Sequence, residues 1–235
     1  MRRIPLAVLI SALFATAALA GGPEHDASHH RGDISKVNRS IQVGDGETAG
    51  DVESVNGSIT IGDDAIVETA ETVNGSVRIG ANGQAEALET VNGSISVGAK
   101  TIVQEGIETV NGAITLGDDA ASLDRIETVN GRIELGARAQ AGAGIELVNG
   151  DVELKNAARV TGDIVVRKPN NPGWFSKQSK TPRVILGPNA VVNGNLVFER
   201  EVELYMHTTA KITGKQNGPL AGGKVHTFSG DAPNS

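Results

Sequence analysis

The decapeptide ETVNGSVRIG at 71–80 returns as ETVNGSISVG from 89, ETVNGAITLG from 108 and ETVNGRIELG from 127. Anchoring on the valine of the Val-Asn pair gives Val37, Val55, Val73, Val91, Val110, Val129 and Val148, in steps of 18, 18, 18, 19, 19 and 19 residues. A unit this short is too small to fold alone and must bury itself against its neighbours. Three residues before the anchor stand Ile34, Val52, Ala70, Leu88, Ile107, Ile126 and Ile145; four after it, Ile41, Ile59, Val77, Ile95, Ile114, Ile133 and Val152. Six after it come Val43, Ile61, Ile79, Val97, Leu116, Leu135 and Leu154, with polar residues such as Thr60, Arg78 and Glu134 between the last two columns. This alternation, rich in β-branched residues, is a strand with one buried face.

Glycines recur seven residues after the anchor (Gly44, Gly62, Gly80, Gly98, Gly117, Gly136) and two after it from Gly57 to Gly150, with Arg39 the exception in the first unit. Glycine serves a corner by allowing positive φ or close backbone approach. Short strands separated by corners, repeated every 18 or 19 residues, describe an all-β chain wound as a single-stranded parallel β-helix. Like residues then recur because each stacks on its counterpart one coil away, about 4.8 Å distant. The column Asn38, Asn56, Asn74, Asn92, Asn111, Asn130 and Asn149 is expected to form an amide ladder. Glycosylation at the Asn-Gly-Ser triplets is the weaker reading, because the asparagine persists where no serine follows.

After 154 the pattern loosens without stopping: DVELKNAARVTGDIVV (151–166) aligns with RVILGPNAVVNGNLVF (183–198). The step from Val152 to Val184 is 32 residues, one coil plus about 13 inserted, so 167–183 is expected as a projecting loop. The expected organisation is a leader at 1–20, a flexible histidine-containing segment at 21–33, a solenoid of about ten coils over 34–215, and a polar tail at 216–235. Eighteen residues are also three hexapeptides, and IGDDAI (61–66) or VGAKTI (97–102) would suit a left-handed β-helix. The drift to 19 and the usual handedness of parallel crossovers favour a right-handed one.

Composition sets the compartment and the class of partner. MRRIPLAVLISALFATAALA has two arginines, a short apolar run and small residues at Ala18 and Ala20, as in a secretory signal cleaved near Gly21, which makes the protein periplasmic or secreted. The rest has no cysteine and no second apolar stretch fit to span a membrane. Without the leader, 19 basic residues face 28 acidic ones, which argues against nucleic acid as a partner. Aromatic residues are only 3%, so the core must be a thin one of Val, Ile, Leu and Ala.

The stretches ARVTGDIVV (158–166), VILGPNAVVNGNLVFE (184–199) and AKITG (210–214) resemble the bactofilins, bacterial polymer-forming cytoskeletal proteins built as right-handed triangular β-helices. The resemblance covers mainly 150–215 and implies end-to-end assembly without nucleotide. The earlier ETVNG units look like those of exported bacterial repeat proteins of the adhesin type.

Candidate sites are few. Glu53, Glu71, Glu89, Glu108, Glu127 and Glu146 form an acidic column that could attract calcium or a basic partner, or be a solvated outer face. Strict alternation places these glutamates on the side of the anchor valine, so the reading requires a bend between them. The inserted loop is basic, with Lys177, Lys180 and Arg183, and carries the lone tryptophan, Trp174, beside Phe175; it is a candidate contact for an anionic envelope or glycan surface, or else a cover for apolar coil surface. His25, His29 and His30 could bind a transition metal weakly or simply belong to a disordered leader. No nucleophile elbow, metal-spaced histidine pair or phosphate loop occurs. The expected function is therefore non-enzymatic and cofactor-free: a structural or adhesive solenoid that associates end to end with itself or touches the cell envelope. Cation or glycan binding is the alternative, and a polysaccharide-active or acyl-transferring enzyme a more distant one.

Overall fold

A computed structural model describes residues 30–169 and 180–233. The leader at 1–20, His25, His29, Trp174, Phe175 and Lys177 lie outside the described residues. The described chain is all-β: thirty short strands form three ten-stranded parallel sheets, each coil giving one strand to each sheet. Strands three apart in chain order are parallel neighbours throughout, so each coil is one crossover laid directly on the coil before it, and the column spans about 45 Å at the usual strand spacing.

Sheet one holds the two-residue strands from His30–Arg31 to Lys211–Ile212. Sheet two runs from Ile34–Lys36 through Thr69–Asn74, Ala87–Asn92 and Ile107–Asn111 to Gln216–Asn217. Sheet three runs from Ile41–Val43 to the nine-residue Leu220–Phe228. The register is that of the repeat: Glu71 pairs with Glu89 and Asn74 with Asn92, then Glu89 with Glu108 and Asn92 with Asn111.

The interior is one continuous stack. Val52, Ala70, Leu88, Ile107, Ile126, Ile145, Ile164 and Leu196 point inward from sheet two and meet the Ile59, Val77 and Ile95 column of sheet three. Burying each large aliphatic side chain contributes about 1.5–3 kcal/mol, which lets a cysteine-free chain hold its shape. The bend expected between glutamate and valine is absent. In Thr69–Asn74 alternation is strict: Ala70 and Thr72 face in, while Glu71 and Val73 face out, both half-buried. The anchor valines line the outside of sheet two, and Val37 at the first coil is the most exposed of them.

Ser54, Thr72, Thr90, Thr109 and Thr128 occupy the inward corner position instead. The hydroxyls of Thr72, Thr90 and Thr109 donate to the carbonyls of Gly57, Gly75 and Gly93 one coil back, at 2.9, 2.9 and 3.1 Å. A buried hydroxyl is tolerated because it has this partner.

The glycine columns serve close approach. A Cβ on Gly75, Gly93, Gly112 or Gly131 would run into the carbonyl of the preceding coil's corner residue. Within that column only Gly150 takes positive φ, at 140°; the non-glycine residues with positive φ lie at the other corner, at Asp64, Asn82, Lys100, Asp119, Arg138, Ala157 and Asn189, with φ from 56° to 61°.

Two expected boundaries are corrected. His30–Arg31 pairs with Thr48–Ala49, so the solenoid begins before 34. At the other end 216–228 is no loose tail: Gln216–Asn217 pairs with Leu196–Phe198, and Leu220–Phe228 lies along Val202–His207, with a bulge between Val202 and Leu204. Gly222 and Gly223 take positive φ there, at 65° and 67°, where the extra residues are absorbed.

Candidate functional site

Sheet two's outer face carries the columns that the repeat singles out. Each asparagine donates its amide to the carbonyl oxygen of the one before: Asn56 to Asn38 at 3.0 Å, Asn74 to Asn56 at 2.8 Å, Asn92 to Asn74 at 3.0 Å, and Asn111, Asn130 and Asn149 in turn at 2.9 Å. Arg200 closes the series by donating to the Asn149 oxygen at 2.8 Å. Amides ladder well because each has a donor and an acceptor to offer.

Carboxylates lack that complementarity. Glu53, Glu71, Glu89, Glu108, Glu127 and Glu146 stand in register on six adjacent strands. A second acidic column stands beside them at the corner from sheet one: Glu68, Glu86, Glu105 and Asp124, all exposed. Burial pushes the Glu89 carboxyl up to about 8, helped by Glu71, Glu108 and Glu105. Burial and then like neighbours also raise Glu71, Glu108 and Glu127. The column is linear, and among the described residues no group of three or more His, Asp or Glu converges as a metal-ligand set.

The far end of the column meets arginines. Arg125 Nη1 reaches Glu127 at 3.3 Å and Glu146 at 3.2 Å, and Arg167 bridges Glu146 at 2.7 Å to Glu199 at 2.9 Å. Sequence reading missed both, because Arg167 belongs to the first residues of the insertion and Glu199 lies in the coil beyond it. Arg167 takes the place one coil on from Val148, its N–H donating to the Leu147 carbonyl as a regular strand residue would.

The inserted loop therefore leaves the solenoid at the edge of this face. At its far root Arg183 Nη2 lies 3.0 Å and Lys180 Nζ 3.8 Å from Asp151. These contacts hold the Asp151 carboxyl below the usual carboxylate range despite partial burial. Arg183 thus ties the end of the insertion to the coil while Lys180 stays largely exposed beside it; the aromatic tip expected to make contact lies outside the described residues.

A further cluster was not legible in the repeat. Sheet three's outer column, polar at Thr60, Arg78, Ser96 and Thr115, becomes Ile185, Tyr205 and His226 in the last coils. The Tyr205 and His226 rings stack with centroids 4.9 Å apart, and His207 meets Phe228 edge-on at 5.3 Å. His207 Nδ1 accepts from the Thr209 backbone N–H at 3.1 Å and lies 2.8 Å from the Thr209 hydroxyl, so it has a structural role in a corner. Tyr205, His226, Thr227 and Phe228 form one side of an open hollow whose other side is the turn through Ser229, Gly230, Ala232 and Pro233.

No protein-family model, no curated protein and no solved structure matches this chain.

Proposed function

We propose that this protein is an exported, non-catalytic β-solenoid that works as a structural or adhesive rod, by associating with itself end to end and by touching cell-envelope components along its sides. The observation that carries this reading is the sheet topology. Among the described residues, three parallel sheets end together at each end of the rod, in His30–Arg31, Ile34–Lys36 and Ile41–Val43 at one and in Lys211–Ile212, Gln216–Asn217 and Leu220–Phe228 at the other. A terminal strand offers unpaired N–H and C=O groups on its outer side, and a second rod presenting the complementary edge continues all three ladders at once. The resemblance of 150–215 to the bactofilins points the same way. Polar side chains lie in uniform columns along the sides, an arrangement suited to repeated contact with an extended surface.

A second reading, a glycan-binding solenoid, is favoured by the Tyr205–His226 ring stack on the outside of the last coils, since sugar rings lie well on aromatic faces. Light scattering and negative-stain microscopy of the purified chain at low micromolar concentration test the first reading. Oligomers or filaments are expected, and removing 219–235, which strips the outer strand from Val202–His207, should alter their length distribution. A monodisperse monomer both before and after that truncation overturns it.

A further inference from the structure

We infer that the glutamate ladder on the outer face of sheet two is a proton-titrated element, which holds the central coils together more firmly in mildly acidic than in mildly alkaline medium.

The geometry is that of like groups with no room to separate. Glu71, Glu89 and Glu108 are register partners on Thr69–Asn74, Ala87–Asn92 and Ile107–Asn111, so the parallel ladder holds their backbones about 4.8 Å apart. Each is half-buried, and the anchor valine two residues on lies on the same outer face. Glu89 is faced by Glu71 from the strand before, by Glu108 from the strand after and by Glu105 from the corner, while its own strand brings only the uncharged Ala87 and Val91 to that face. Glu71 is faced by Glu53 and Asp51; Glu108 by Glu127, Asp124 and Arg125; Glu127 by Glu146, Arg125 and Arg167. Positive charge thus reaches the ladder from its C-terminal end, and the middle has carboxylates on both sides.

Fixed carboxylates at this spacing cannot all ionise cheaply, and the folded ladder relieves the repulsion by keeping protons that the unfolded chain releases. A carboxyl raised in the folded state stabilises fully below the unfolded value near 4.5, and that contribution is lost as pH rises through the folded value, about 8 for Glu89. The window therefore runs from weakly acidic to weakly alkaline pH, opposite in sign to the usual effect of native carboxylates. The protons belong to the column as a whole, so removing one carboxylate from its middle relieves both neighbours.

Thermal unfolding of the full chain at constant ionic strength, between about pH 5.5 and about pH 8.5, tests the inference. The wild-type midpoint is expected to fall by several degrees across that range. Glu89→Gln should raise the midpoint at the alkaline end and remove much of the fall; the histidines, His207 and His226 among them, are untouched by this variant. A wild-type midpoint that stays level or rises with pH, or a Glu89→Gln variant that keeps the whole fall, overturns the inference. Should the variant not fold, carbon NMR of the wild-type glutamate carboxyls decides: at least one titrating above about pH 6.5 supports the ladder, and all titrating below about pH 5.5 overturns it.

Discussion

The coils up to Gln140–Ala141 and those from Gly144–Asn149 onward solve the same stacking problem with different chemistry. In the earlier coils the inward corner is Thr72, Thr90, Thr109 and Thr128, whose hydroxyls answer glycine carbonyls; in the later ones it is Leu147, Val166 and Phe198, all buried. Outside, the glutamate column of sheet two gives way to Val165 and Val197. Charge is handled differently too. Glu71, Glu89 and Glu108 stand among other carboxylates, whereas Glu146 and Asp151 are held by Arg125, Arg167 and Arg183. In-register stacking multiplies whatever a column contains, and that is favourable for amides and aliphatics and unfavourable for like charges unless protons or arginines intervene.

The comparison can be broken at the corners, where the effect should be largest. Gly112→Ala places a methyl group against the Gly93 carbonyl in a tightly stacked coil and is expected to cost about 3 kcal/mol, read by chemical denaturation. The same column reaches Pro182 in the coil opened by the insertion, where Val152 already pairs with Val184 across the extra residues; Pro182→Ala should cost well under half as much. An equal loss at Pro182→Ala would mean that this corner depends on its ring as much as the earlier ones depend on having no side chain.

Arg167 sharpens the electrostatic half. Arg167→Ala leaves Glu199 without its guanidinium and Glu146 with that of Arg125 alone, with an expected loss of about 1 kcal/mol at neutral pH, since the group is partly solvated. Asp151, held low by Arg183, stabilises above the ordinary carboxylate range, and its contribution disappears as pH falls through its depressed value. The later coils should therefore weaken in strong acid while the glutamate ladder weakens toward alkali, and hydrogen exchange resolved along the sequence would separate the two.

The smallest expected change is at the amide ladder. Asn92→Ala removes one donor and one acceptor on an exposed edge, costing about 1 kcal/mol; Thr109→Val, which takes the donor from the Gly93 carbonyl but adds a buried methyl group, should cost about 1 kcal/mol as well. A much larger loss for Thr109→Val would show that the inward hydroxyls hold the corner more firmly than Leu147 and Val166 hold theirs.

Several features could be read from the chain alone, because in a parallel solenoid the sequence period is the spatial period. The repeat placed Asn74 on Asn92 and Glu71 on Glu89, and the 32-residue step from Val152 to Val184 located the insertion. The direction in which each column faces was decided only in three dimensions. The anchor valine looked like core and lies outside, while threonine, polar by type, lies within, because a nearby glycine carbonyl supplies the partner that makes its burial affordable. The final strand Leu220–Phe228 had no repeat signature, and the Arg167 bridge joins residues 32 positions apart in sequence. Local periodicity carries no information about contacts made between a coil and an insertion, or between the last regular coil and the segment that closes it; those depend on where the folded column brings the chain back.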